Sequence, residues 1–172
     1  MLASFNMEEK MIDIDIKCNE GKFKLRTTGI IIKNNKILVQ KAKKFDGYVL
    51  PGGHIELGEL SKEAMLRVIN EETKMDVKIN NLICIAENIY SGKNNEICHE
   101  INYYYNLSPI NDIETEEFII VENDKGIIKE QKFYWIDLND LTDTNVRPIE
   151  IIKILQENIN ATNLILEIDN RT

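Results

Sequence analysis

Four charged side chains stand close together in the stretch Gly53 to Met75, GHIELGELSKEAMLRVINEETKM: Glu59, Arg67, Glu71 and Glu72, with Pro51 and Gly52 in front. A loop followed by a carboxylate-bearing helix can split a diphosphate. The substrate is a polyanion, so divalent cations must neutralise it and polarise its phosphorus. Hard cations such as Mg²⁺ take oxygen ligands in near-octahedral geometry and keep several waters. Positions 68, 71 and 72 are spaced i, i+3, i+4, so on a helix they share a face. That face carries Val68, Glu71 and Glu72. A plainer reading competes: a solvated amphipathic helix whose stripe of Ala64, Met65, Val68, Ile69 and Met75 packs in a core. Helical periodicity alone favours the plainer reading.

Register across the whole stretch favours the chemical one. It resembles the signature of the Nudix hydrolases, G-x5-E-x7-R-E-U-x-E-E-x-G-U, where U is a bulky aliphatic residue. Gly53, Glu59, Arg67, Ile69, Glu71, Glu72 and Met75 match in register, behind a Leu-Pro-Gly-Gly turn. A motif of this length is far more specific than a short glycine pattern. The resemblance implies an α/β protein, a Nudix-like α/β/α sandwich with a mixed β-sheet between helices. It implies a metal-dependent hydrolase that cleaves the pyrophosphate bond of a nucleoside diphosphate linked to another group, with Mg²⁺ or Mn²⁺ as cofactor. By the same resemblance Glu59, Arg67, Glu71 and Glu72 form the catalytic set, and the Gly52 carbonyl with Glu59, Glu71 and Glu72 holds the metal. Arg67 would orient the carboxylates through charge-assisted bonds. Because its neighbour at 68 is apolar, Arg67 is expected to pair with Glu59 or Glu71.

Two positions depart from the pattern. Lys74 stands where the family has the glycine that ends the helix in the left-handed conformation. A non-glycine there costs about 1 kcal/mol, which a folded domain absorbs, and the cation suits a helix C-terminus. Val68 stands where the family has a glutamate, and a valine neither binds metal nor accepts a proton. Glu56, Glu63 and the acidic run Glu114, Glu116 and Glu117 are the candidates to replace it. The alternative function is therefore a catalytically weak or inactive Nudix-fold protein that binds a nucleotide-like ligand.

Bulk properties narrow the partners. The chain has 172 residues and a net charge of -8. That length suits one domain spanning 1–172 with a proper core, and residues 1–20 form an extra strand or arm before it. The acidic balance argues against nucleic acid and membrane surfaces as partners, because both need a basic face. It fits a small anionic ligand when metal supplies the positive charge. Cys18, Cys84 and Cys98 lack any C-x-x-C spacing and read as reduced thiols of a cytoplasmic protein. Only His54 and His99 are present, too few for a zinc site. No targeting segment and no run of ~20 apolar residues is visible.

The elements that must hold the box can also be read. MIDIDIKCN alternates and suits a strand with one buried face, an added strand or a dimer arm, which makes a homodimer one expectation. KFKLRTTGIIIKNNKILVQKAKK holds two β-rich runs around Asn34-Asn35, a hairpin turn; around Arg26 and Gly29 it also resembles the opening strands of Nudix domains. Lys41, Lys43 and Lys44 cluster, most simply as a solvated strand end. Tyr48 is expected in the core, while Phe45 could pack or stack on a base. Leu82 to Ala86 form a near-continuous apolar run that suits a strand buried on both faces, with Cys84 as a core residue. CHEINYYYNLSP returns beside it, with Tyr103, Tyr104 and Tyr105 on alternating faces. Ile110 to Gly126 reads as a solvated acidic loop. KEQKFYWIDLNDL is an aromatic strand, and Pro148 opens a helix over 149–158. The run LILEI in the tail is expected at a sheet edge or a subunit contact.

Overall fold

The computed structural model describes residues 12–92, 95–111, 116–124, 127–141, 143–156 and 164–170. In chain order the elements are β1 (Asp15–Lys17), β2 (Gly21–Lys33), β3 (Lys36–Lys41), β4 (Tyr48–Val49), β5 (Gly52–His54), α1 (Ser61–Thr73), β6 (Val77–Ser91) and β7 (Ile97–Pro109). They continue with β8 (Glu117–Asp124), β9 (Ile127–Asp137), β10 (Val146–Arg147), α2 (Ile149–Gln156) and β11 (Leu164–Asn170). The main sheet path runs β10-β4-β3-β2-β7-β6-β11, with β1 and β5 also on β2, and β9 on β3 with β8 beyond it. Pairs β2·β7, β6·β11 and β4·β10 are parallel and the others antiparallel, so the sheet is mixed.

The central strands are apolar on both faces because each face meets a helix. Ile30, Ile37, Val39, Cys84, Ala86 and Tyr104 belong to one core, with Ile151, Ile152 and Ile154 of α2. Their strand neighbours Ile31, Leu38 and Tyr105 belong to a second core, with Met65 and Ile69 of α1. Alternation of Cβ direction along a strand sends adjacent residues to opposite layers. The tyrosine run obeys it: Tyr103 and Tyr105 join the α1 side and Tyr104 the α2 side. The result is the expected α/β/α sandwich. Asn34 and Asn35 both take positive φ, 51° and 62°, and close the β2–β3 hairpin as a two-residue turn.

Some local expectations change. The added strand is β1, which pairs with β2 of the same chain, but Ile12 and Ile16 are exposed rather than buried. The acidic segment is not all loop: β8 pairs with β9 along its length, and Phe118 stacks on Phe133 at 5.0 Å. That partner is on the next strand, so the composition of the acidic segment alone gives no sign of it. Tyr48 does pack on the core, edge-on to Tyr134. Phe45 lies under the Arg147 guanidinium at 5.0 Å. The tail strand β11 runs parallel to β6 at the sheet edge, so LILEI is an intrachain edge strand. Residues 157–158, the expected end of the last helix, lie outside the described residues.

Candidate metal and diphosphate site

The turn ahead of α1 depends on two glycines. Gly52 pairs with Thr28 of β2, and a Cβ there would sit 2.5 Å from the Thr27 carbonyl oxygen. A Cβ on Gly53 would fall 2.9 Å from Cγ2 of Val68. Side chains at either position would push the strand off β2 or the helix off the strand. Glycine therefore lets α1 ride directly against β5. Val68 is 3 % exposed and fills the space under Gly53. The stripe Ala64, Met65, Val68, Ile69 and Met75 is buried throughout, as the amphipathic reading expects.

At the start of α1 the charged groups are committed to one another. Arg67 donates from Nε to Glu59 Oε1 at 2.8 Å and from Nη2 to Glu59 Oε2 at 2.7 Å. Nη2 also donates to the His54 carbonyl at 3.1 Å, and Nη1 to Glu71 Oε2 at 3.2 Å. Both expected partners of Arg67 are thus present. Glu59 Oε2 takes a further bond from the Glu56 N–H at 3.1 Å, and Glu56 lies 3.8 Å from Arg67 Nη1. The bidentate bond to Arg67 holds the Glu59 carboxyl below the usual carboxylate range, against the opposing effect of burial. The same bond raises the Arg67 pKa still further. Glu59, expected among the metal ligands, spends both oxygens on Arg67.

The end of α1 is built differently. Glu72 Oε2 accepts from the Gly52 N–H at 3.1 Å, which ties the helix to the turn. Glu71 touches Arg67 but its side chain remains 56 % exposed. Lys74 takes the left-handed conformation, φ 59°, in the place of glycine; its N–H donates to the Asn70 carbonyl and its ammonium to the Glu71 carbonyl. These carbonyls would otherwise lack partners at a helix end.

Among the described residues, no three His, Cys, Asp or Glu side chains form a ready cluster for a metal ion. The donor set at the turn is nonetheless of one chemical kind: the Gly52 carbonyl and the carboxylates of Glu71 and Glu72. Oxygen-only donors, few in number and leaving room for water, fit Mg²⁺ or Mn²⁺ rather than a soft or imidazole-seeking ion. The candidates to replace position 68 are mostly occupied elsewhere. Glu56 belongs to the Arg67 clamp. Glu63 accepts from the Leu60 N–H at the helix start, and Glu116 pairs with Lys36 at 2.9 Å. Glu117 is exposed at the head of β8, and Glu114 lies outside the described residues.

Three residues beside the turn escaped the sequence reading. Arg26 Nη2 donates to the Gly52 carbonyl at 3.1 Å, and Arg26 Nε lies 3.8 Å from Glu100 Oε2. His54 is opposite Arg26 in the β2–β5 register; burial first, and the Arg26 charge second, lower its pKa. Period-two spacing of Lys22, Lys24 and Arg26 on β2 was the available signal, since it places all three on one sheet face. In the lysine cluster of residues 41, 43 and 44, Lys41 pairs with Asp46 at 2.7 Å and lies over the Tyr48 ring.

Comparison with known proteins gives a consistent picture. A family model described as the NUDIX domain matches residues 23–155. An ADP-ribose pyrophosphatase of Methanocaldococcus jannaschii is 48% identical over 58 residues, 32% of this chain and 34% of that protein. The match thus spans about a third of that relative's length. A NUDIX hydrolase structure from Nitrosomonas europaea superposes with a TM-score of 0.58 at 16% identity, covering 81% of this chain and 91% of the other. The structure of an ADP-ribose pyrophosphatase from Streptococcus suis 89-1591 gives 0.54 at 17% identity, covering 84% and 98%. At these identities the two structures speak for the fold.

Proposed function

The chain belongs to the Nudix family, and on that premise we propose that it hydrolyses the pyrophosphate bond of a nucleoside diphosphate linked to another group, using Mg²⁺ or Mn²⁺. One observation carries this reading: Glu72 Oε2 accepts from the Gly52 N–H, which brings a carboxylate of α1 onto the residue whose carbonyl is a second hard oxygen donor. Glu71, Glu72 and the Gly52 carbonyl would hold the cation. When bound, it neutralises the diphosphate and polarises its phosphorus. Glu59 serves by fixing Arg67, and Arg67 in turn holds Glu71 and the His54 carbonyl in place.

ADP-ribose is the first substrate to try, because two of the similar proteins are ADP-ribose pyrophosphatases. The experiment is a panel of ADP-ribose, sugar nucleotides, dinucleoside polyphosphates and nucleoside triphosphates with Mg²⁺ and Mn²⁺, scored for nucleotide or phosphate release. Release from at least one compound, dependent on the cation, is the expected result. No release from any, with the folded protein shown to bind Mn²⁺, would overturn it. One observation favours the second reading, a ligand-binding member with weak or no turnover. Val68 is buried under Gly53 where the family pattern has a carboxylate.

The remaining parts of the proposal rest on composition and topology. We take 1–172 as one domain, because both cores share one sheet. A cytoplasmic location is supported by three free cysteines. No described helix is long and apolar enough to cross a membrane. Absence of nucleic-acid binding follows the net charge of -8. A homodimer is tested by light scattering on the eluted protein.

A further inference from the structure

Arg26 is a guanidinium held on two sides and open on a third. Nη2 is fixed to the Gly52 carbonyl at 3.1 Å, and Nε faces Glu100 Oε2 at 3.8 Å. Glu100 is 12 % exposed and stands on β7, where Asn102 of the same strand pairs with Arg26. Guanidinium carries five N–H donors in a rigid fork. The Nη1 donors have no partner among the described residues, and the Arg26 side chain is 27 % exposed. A mostly covered carboxylate behind a half-open guanidinium keeps a cationic fork in one orientation. Two residues away on the same face, Lys24 Nζ donates to the Tyr90 hydroxyl and meets no carboxylate among the described residues. This is a cationic strip in a chain of net charge -8, and it runs up to the one turn that carries the metal-type donors.

We infer that Arg26 binds the substrate's diphosphate directly: its Nη1 donors take a non-bridging oxygen beside the Gly52 carbonyl, and Glu100 is the positioning residue that aims the fork. The inference rests on the hydrolase reading. It also accounts for charge at a turn where Val68 has removed one carboxylate. Fewer carboxylates attract less divalent cation, and the fixed guanidinium supplies positive charge to the anion in its place.

The test uses methylenediphosphonate, a diphosphate mimic whose P–C–P bridge cannot be hydrolysed. Its affinity is measured by calorimetry on the full chain at saturating Mn²⁺, beside the affinity for Mn²⁺ alone. Arg26→Gln should weaken the mimic by about ten- to a hundredfold, the loss of a charge-assisted bond, without weakening Mn²⁺. Arg26→Lys should recover part of that loss. Glu100→Gln should weaken the mimic several-fold in wild-type background and have no further effect once Arg26 is Gln. If Arg26→Gln binds the mimic as tightly as the wild type, the inference is wrong. If it loses Mn²⁺ affinity while binding of the mimic at saturating metal is unchanged, Arg26 only holds the carbonyl, and the inference is again wrong. Should Arg26→Gln not fold, the Nε resonance of Arg26 in the wild type decides: it must shift on adding the mimic, and an unmoved resonance refutes the contact. A wild type that hydrolyses the substrate panel but fails either test overturns this inference alone; one that neither hydrolyses nor binds the mimic overturns both.

Discussion

The two ends of α1 use the same residue types for opposite purposes. At its start, Glu59, Glu56, Arg67 and the His54 carbonyl satisfy one another, and Glu59 is 10 % exposed. At its end, Glu71 is mostly exposed and Glu72 reaches across to the backbone of the turn. A carboxylate bonded at both oxygens by arginine has its charge spent, so it fixes geometry. A carboxylate that shares only part of its capacity can still take a cation. Within one motif, identical glutamates thus divide into a clamp and a binding edge. The division follows from how Arg67 bonds them: twice to Glu59 and once to Glu71.

That contrast can be broken at Val68, which sits between the two ends. Val68→Glu adds a carboxylate on the face of Glu71 and Glu72. Turnover is expected to rise, by up to ~10²–10⁴-fold if it restores a missing base. Stability should fall, because the new carboxylate replaces a buried methyl pair pressed on Gly53. Steady-state rates and thermal melts check both. An unchanged rate in an active protein would place the base elsewhere.

The clamp is broken by Glu59→Gln, and the smaller effect expected there is on stability. Losing the charge-assisted pair should cost about 1.5–3 kcal/mol at neutral pH. The sign with pH follows from the depressed Glu59 pKa. Its contribution is fully present above the ordinary glutamate value of about 4.3 and is lost as pH falls through the lower folded value. Denaturant midpoints of wild type and variant should therefore differ at pH 7 and converge on acidification. A constant gap down to pH 2 would contradict the clamp.

The smallest effect is at the helix end. Lys74→Gly relieves a left-handed lysine but removes its ammonium from the Glu71 carbonyl. A net gain of about 1 kcal/mol or less is expected in chemical denaturation, with activity unchanged. A loss of activity would mean that Lys74 positions Glu71.

Much of this was legible in the sequence. The box gave the helix, the turn and the pairing of Arg67, because the spacing of Gly53, Glu59, Arg67, Glu71 and Glu72 is local. The two-faced strand at Leu82 to Ala86 was legible for the same reason, a continuous apolar run, and Leu82 packs on the α1 side while Cys84 and Ala86 pack on the α2 side. What stayed hidden was long-range. Arg26 is 26 residues from Gly52 and Glu100 is 74 from Arg26, and only the β2–β5 and β2–β7 pairings bring them together. The strand β8 is not legible from its own acidic composition, because its support, Phe133, comes from the next strand. The pairing of Glu59 with Arg67 is in the structure, and its place among the metal ligands rests on resemblance.

The division between clamp and binding edge is tested most directly at Glu72. Turnover of ADP-ribose, or of whichever compound in the panel the wild type hydrolyses, is measured for wild type and Glu72→Gln across a Mg²⁺ titration, with circular dichroism melts on both. Turnover should be abolished in the variant at every Mg²⁺ concentration, while the melting temperature moves little, because the amide oxygen of glutamine can still accept from the Gly52 N–H. A Glu72→Gln protein that keeps wild-type turnover at limiting Mg²⁺ would contradict the account.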